Sequence, residues 1–200
     1  MYILTVDQRH SRRTGDRVAG LLADLATRRR DLVRPFERTA GDEVQAVVAR
    51  PEVVVDLVLL LVRDRRWSVG VGVGPVAEPL PAETRAGAGE AFSHARTAVT
   101  HAKNRSTGLA VSAADTAAAR RAQTALDLVA ALLQRRTDRG VEATALAGEG
   151  LSQIEVARRL GVTKQAVSQR LQAADWHLEV PARELAAHLL SEVDASLSGS

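Results

Sequence analysis

The sequence predicts an α+β protein, with an N-terminal βαββαβ domain followed by an all-α domain. Two observations predict this division. As far as about residue 112, short runs rich in valine and other β-formers alternate with segments of helical periodicity. From residue 113 onward the chain is rich in alanine and shows helical periodicity only. We therefore expect one domain at residues 1–112 and a second at 113–200.

The elements of the first domain can be assigned in chain order. Residues 1–7, MYILTVD, are short, rich in β-forming residues and end in an acid, which is typical of a strand. Pro51 suits the first turn of a helix, and the segment that follows it is strongly apolar. The predicted strands are 1–7, 35–40, 43–49, 67–73 and 109–111, and the predicted helices are 16–30, 51–63 and 88–103.

The composition excludes several classes of protein. The 200-residue chain is 46% hydrophobic and 26% charged, which is ordinary for a globular protein. It has no cysteine, so disulfides and thiolate metal sites are impossible. No apolar run reaches the roughly 18 residues needed to cross a bilayer. We therefore expect a cytoplasmic protein without a membrane partner.

Two carboxylates that are distant in sequence are predicted to meet at one edge of the sheet. In a βαββαβ unit the third strand returns antiparallel beside the first. Asp7 ends the first strand, and Asp42 lies in the hairpin turn before the third. Mg²⁺ or Mn²⁺ would relieve their repulsion and bring the phosphates of a nucleotide, which Arg9, Arg12 and Arg13 could bind. Alternatively, the acids are ordinary turn residues.

Four stretches, in this order, resemble the SatD family: TVDQRHSRR, FERTAGDEVQAVV, WSVGVGVGPV and AGAGEAFSHARTAV. Members of that family resemble the ferredoxin-like palm domain of class III nucleotidyl cyclases and GGDEF proteins. In such palms an acid ending strand 1 and an acid in the hairpin hold two metal ions on a nucleoside triphosphate, and the matching positions are Asp7 and Asp42. Ala40 stands in place of a doubled glycine. The resemblance implies a nucleotide-binding scaffold, and no catalytic residue is assigned.

The stretch 150–174, GLSQIEVARRLGVTKQAVSQRLQAA, has the spacing of a helix-turn-helix. Ala157 is the small residue at the point where the two helices would cross, and Gly161 tolerates the backbone conformation of the turn. Ser152, with Glu155 three residues later, predicts a capping box at the start of the first helix. Apolar residues at regular steps would hold the two helices together.

The second helix of this motif is predicted to bind in the major groove of double-stranded DNA. Glutamine can form two hydrogen bonds to adenine, and Lys, Ser and Thr contact phosphates or base edges. The predicted contact residues are Arg158, Thr163, Lys164, Gln165, Ser168, Gln169, Arg170 and Gln172. The motif has four basic residues and one acidic residue, a balance that favours phosphate binding. Alternatively, it is a helical hairpin used only for packing or dimerisation.

These features predict a DNA-binding transcriptional regulator, and a homodimer is expected because one such motif gains affinity from two half-sites. The N-terminal domain would sense a nucleotide or serve as a dimer platform. One alternative is a Mg²⁺-dependent nucleotidyl cyclase or nucleotidyltransferase fused to a DNA-binding domain, and another is a purely structural palm. A helix at about 115–137 would link the domains, and a closing helix at 176–195 would pack Leu185, Leu189 and Leu190 inward.

Overall fold

The structure of the protein is a computed structural model that describes residues 1–11, 15–27, 29–63 and 65–196. In these ranges five strands form one mixed sheet, accompanied by eight α-helices. The strands are β1 (Tyr2–Gln8), β2 (Arg34–Ala40), β3 (Glu43–Val48), β4 (Trp67–Val73) and β5 (Leu109–Ser112). The helices are α1 (Val18–Ala26), α2 (Pro51–Val62), α3 (Glu90–Ala102), α4 (Thr116–Gln134), α5 (Asp138–Gly148), α6 (Gln153–Leu160), α7 (Lys164–Ala173) and α8 (Trp176–Ala195). None of these helices combines the length and the hydropathy needed to span a membrane.

The sheet has the strand order β2-β3-β1-β4-β5. The central strand β1 pairs antiparallel with β3 on one side and with β4 on the other, and β5 adds parallel to β4 at the edge. The antiparallel pairing of the first and third strands, which the element order predicts, is confirmed. In this register Asp7 lies opposite Glu43, so the end of β1 lies beside the β2–β3 turn.

Helix α3 packs directly on β4 because that strand carries glycine at two inward positions. A Cβ on Gly70 would lie 2.2 Å from the backbone N of Val99, and a Cβ on Gly72 would lie 2.1 Å from the carbonyl O of Ala91. The facing helix contributes small residues, including the fully buried Ala95. The glycines in WSVGVGV therefore let a helix backbone approach the sheet closely, and this contact fixes the position of the C-terminal end of α3.

The opposite face of the sheet is covered by α2, which is itself covered by α4 and α8. A helix enclosed in this way can be apolar on nearly all sides, which explains the sequence PEVVVDLVLLLV. The core that results includes Tyr2, Leu4 and Val6 from β1, Val54 and Val58 from α2, Leu126 from α4 and Leu190 from α8.

This hydrophobic core continues across the domain boundary predicted at residue 113. The phenolic Oη of Tyr2 donates to the carbonyl O of Leu190 at 3.1 Å, and the N-terminal ammonium of Met1 lies 2.6 Å from Oδ1 of Asp194. The last helix of the chain thus packs beside its first strand. The division into two domains at residue 113 stays a prediction. Whether the chain forms one domain or two, α4 and α8 pack in the core of the sheet.

The prediction that α8 packs its leucines inward is correct only in part. Leu190 is fully buried and Leu189 is partly buried against the core, but Leu185 is 53% exposed. The buried face of α8 is set by Ala186, Leu190 and Val193, which recur at steps of four and three residues. Leu185 lies off that stripe.

Helices α5, α6 and α7 form a second, smaller core. Residues 152–173, named here the helical pair, contain α6, a tight turn and α7. The buried side chains of this core are Ala143 from α5, Val156 and Ala157 from α6, and Val167 and Leu171 from α7. Gly161 ends α6 with φ +64°, a left-handed conformation that glycine adopts without strain. Ala157 is therefore packed in this core and Gly161 forms the turn, as the sequence predicts.

Candidate functional site

Asp7, a predicted metal ligand, lies at the end of β1 next to the β2–β3 turn. Its side chain is 14% exposed, and its Oδ2 lies 2.7 Å from Nζ of Lys103. The strand register places Asp7 opposite Glu43, the residue that follows Asp42 in the chain. The structure therefore brings both predicted ligands to one edge of the sheet, and it adds a lysine that the sequence analysis does not include.

The ion pair between Asp7 and Lys103 changes what this edge can bind. A divalent cation would have to compete with the ammonium group for Oδ2 of Asp7. Within the described ranges, no group of three or more His, Cys, Asp or Glu residues is placed to hold a metal ion. Two carboxylates can hold Mg²⁺ when substrate phosphates complete its coordination. The predicted Mg²⁺ or Mn²⁺ site with a nucleotide therefore stays a prediction.

Arg9, a predicted phosphate ligand, is engaged with the backbone. Its Nη2 donates to the carbonyl O of Arg105 at 3.2 Å and to that of Lys103 at 3.4 Å. The guanidinium group thus stabilises the connection between α3 and β5, next to the lysine that pairs with Asp7. The other two predicted phosphate ligands, Arg12 and Arg13, lie outside the described residues.

The second candidate surface is the outer face of α7. Six of the predicted contact residues between 163 and 172 are exposed, whereas Val167 and Leu171 face the small core. The exposed six are Thr163, Lys164, Gln165, Ser168, Gln169 and Gln172. The helix thus has one apolar side buried against α5 and α6 and one polar side directed outward. The orientation that the sequence predicts for these side chains is the observed one.

Hydrogen bonds at both helix starts fix the geometry of the helical pair. The Oγ of Ser152 accepts from the backbone N–H of Glu155, and an Oε of Glu155 accepts from the backbone N–H of Ser152 at 2.8 Å. The Oγ of Ser152 also donates to Oε2 of Glu155 at 2.6 Å. This side-chain bond and, after it, the bond from the backbone N–H of Ser152 hold the pKa of the Glu155 carboxyl below its usual value. Thr163 caps α7 by accepting from the backbone N–H of Ala166 at 3.1 Å. The first turn of α7 is therefore well ordered where its polar residues begin.

The two predicted arginine contacts have different surroundings. Arg158 is exposed on α6. Arg170 is turned toward α5, where its guanidinium lies 3.9 Å from the carboxylate of Glu142 and its side chain is 20% exposed. The side chain of Arg158 is thus accessible at the surface, whereas that of Arg170 is partly enclosed beside Glu142.

The SatD family model matches residues 5–190. The chain belongs to the SatD family. Comparison with curated proteins and with solved structures finds no match. The range that defines membership of the SatD family contains Asp7, Asp42, Lys103 and the whole helical pair, so it covers both candidate surfaces of this protein.

Sequence analysis missed residues at both surfaces of this SatD family protein. Lys103 carried a usable signal, because it and Lys164 are the only lysines in the chain and each lies at a candidate site. Beside α7, a cleft of about 360 Å³ is lined by Gln169 together with Arg135 and Arg139. The signal there is the set of three arginines in the stretch 135–139, which follows α4 and is brought next to α7 only by folding.

Proposed function

We propose that this SatD family protein is a DNA-binding transcriptional regulator, in which the helical pair is a helix-turn-helix and α7 enters the major groove. The observation that carries the proposal is the exposed polar face of α7, with three glutamines and a capped N-terminus, fixed on a small buried core. Glutamine amides bind base edges, and residues at the start of such a helix contact them first. A surface used only for helix packing would be apolar instead.

The charges around this face support binding to a polyanion. Arg158 and Lys164 are exposed on the helical pair itself, and Arg135 and Arg139 are exposed beside it. Glu142 lies within reach of Arg170. Cations that flank a base-contacting helix bind phosphates and set its register on the duplex.

For the N-terminal domain we propose a ferredoxin-like, palm-like scaffold that senses a nucleotide or mediates dimerisation. The order β2-β3-β1-β4 with antiparallel neighbours is the arrangement expected for a βαββαβ unit. The pairing of Asp7 with Lys103 favours sensing or dimerisation over catalysis by a Mg²⁺-dependent cyclase. Phosphoryl and nucleotidyl transfer depend on metal ions bound by carboxylates in the position of Asp7. Here the ammonium group of Lys103 is bound to that carboxylate instead.

The test of DNA binding is selection of preferred duplexes from a random pool, followed by titration of the purified protein. We expect Gln165→Ala and Gln169→Ala each to cost about 1–3 kcal/mol on the selected sequence and little on random duplex. Lys164→Ala should weaken binding to the selected sequence and to random duplex alike, and the salt dependence of the binding constant should fall by about one released counterion. Arg121→Ala, an exposed charge on α4, is the control and should change neither. Failure to select any preferred duplex would refute the proposal.

A separate experiment distinguishes the roles of the N-terminal domain. If it senses a nucleotide, Mg²⁺ with a nucleoside triphosphate raises the melting temperature without forming product, and Asp42→Asn abolishes the rise. Asp24→Asn, on an exposed position of α1, is the matched control. Product formation would favour the enzyme instead. A dimer by light scattering, together with no response to nucleotide, would support the dimer platform.

A further inference from the structure

A second cleft lies between the core of the sheet and helix α5. Its volume is about 430 Å³, within the range of small-molecule sites. Its walls come from α2, α4, α5 and α8 and from the connection between α4 and α5. Apolar groups on these walls include Leu59, Leu133 and Val141, and the ring of Trp176 lies at one end, close to Gly148. We name it the junction cleft.

Four of the five charged residues that line the junction cleft form one connected chain. Nη1 of Arg136 donates to Oε2 of Glu179 at 2.5 Å, and Nε of Arg183 donates to Oε1 of the same carboxylate at 2.8 Å. Nη1 of Arg183 also donates to Oδ1 of Asp56 at 2.8 Å. Both carboxylates of the cleft therefore have arginine partners. With Arg63 at the wall, three guanidinium groups face two carboxylates.

Arg136 is the unusual member of this chain. Its side chain is only 5% exposed, and its Nε donates to the carbonyl O of Ala174 at 2.9 Å. Its Nη2 is buried, and no acceptor for it lies among residues 1–11, 15–27, 29–63 and 65–196. A buried cationic donor without an acceptor is costly, and an acceptor supplied by a bound molecule would remove that cost.

We propose that the junction cleft binds a small organic anion, with one carboxylate or phosphate group directed at Arg136 and an apolar body against Leu133 and Val141. The excess of guanidinium groups selects a negative charge, and a planar guanidinium matches a carboxylate or phosphate. The apolar walls and Trp176 would exclude a bare inorganic ion from most of the volume. This site is separate from Asp7 and Asp42, and it does not depend on the proposal of DNA binding.

The experiment titrates the full chain with benzoate, and with benzamide as the neutral compound of the same shape. Melting temperature and tryptophan emission report binding, since Trp176 lines the cleft. We expect benzoate to bind saturably and to raise the melting temperature, and benzamide to bind at least roughly tenfold more weakly. Inorganic phosphate, which lacks the apolar body, should bind more weakly than benzoate. Equal binding of benzoate and benzamide, or no saturable binding of benzoate, overturns the proposal.

Variants at one exposed wall position locate the site without disturbing its buried charges. Ala145 lines the cleft from α5 and is exposed, so larger side chains fit there. Ala145→Glu adds a negative charge at the mouth and should weaken benzoate roughly tenfold, whereas Ala145→Gln, of the same size, should change it less than about twofold. Arg136→Gln should abolish binding, but that variant also loses its bond to Glu179. Equal affinity for Ala145→Glu and Ala145→Gln would refute the assigned location.

Discussion

Replacing Gly72 by alanine tests the packing that positions the edge of the sheet. A Cβ at Gly72 would lie 2.1 Å from the carbonyl O of Ala91 and 2.3 Å from the backbone N of Ala95. Both contacts are to the backbone of α3, so no side-chain rotation can relieve them. Real Cβ contacts stay above 3.0 Å, so α3 would have to retreat from β4 by about 1 Å.

The cost of this retreat can be estimated from core-packing measurements. An extra methyl in a filled core costs about 1–3 kcal/mol. We expect about 3 kcal/mol here, because a whole helix must move and a gap of about 1 Å weakens its other contacts with the sheet. That is a large part of a total stability of about 5–15 kcal/mol. Because α3 leads directly to Lys103, the distance from Lys103 to Asp7 should also increase.

Urea denaturation followed by circular dichroism measures this cost. Gly20→Ala is the control, since Gly20 lies in α1 and an added Cβ there meets nothing within 4 Å. The control should stabilise the protein by about 0.5–1 kcal/mol, because glycine inside a helix is unfavourable. The two substitutions are chemically identical and are expected to have opposite signs. If Gly72→Ala costs less than about 1 kcal/mol, α3 does not lie on β4 as described.

Three further predictions concern charged and titrating groups. Lys103→Met should increase the affinity of Mn²⁺ measured by calorimetry, because it frees the carboxylate of Asp7; unchanged affinity would contradict a metal site there. Because the pKa of Glu155 is lowered by folding, its stabilising contribution is present above its unfolded pKa of 4.5 and is lost as the pH falls through the folded pKa. Glu155→Gln should therefore reduce the dependence of the melting temperature on pH in acid. If the melting temperature of this variant depends on acid pH as that of the parent does, this reasoning is wrong. Burial raises the pKa of Tyr2, helped by Asp194, so stability should fall as the pH rises above 10.0, and Tyr2→Phe should remove that fall in urea midpoints; a persisting slope would implicate another group.

The elements whose signals are local could be predicted from the sequence. The strands β1, β3 and β4 are short runs rich in β-branched residues, and the turn at Gly41 separates β3 from β2. The helical pair is specified within 25 residues by a capping box, a small crossing residue and a glycine turn. Each of these signals acts between residues a few positions apart, so a single sequence contains all of the information needed to recognise them.

The features that decide function depend on contacts between distant residues, and these could not be predicted. Lys103 reaches Asp7 only because α3 packs on Gly70 and Gly72, which places the end of that helix at the edge of the sheet. Arg136 and Glu179 meet across 43 positions of sequence. Periodicity identifies the faces of a helix, but it does not identify the partner of a face, and the partner determines which charges meet.

The buried contact between Arg136 and Glu179 has a consequence for the proposed regulator. Both side chains are almost fully buried, at 5% and 7% exposed, and a buried ion pair is favourable only in a well-defined geometry. This ion pair joins the connection between α4 and α5, which contains Arg136, to α8, which contains Glu179. Helix α8 also packs against the core of the sheet. The helical pair is therefore fixed to the sheet by a structured junction that a flexible linker would not provide. In a homodimer formed through the sheet, the separation of the two α7 helices, and hence the spacing of the half-sites they can bind, would be set at this junction.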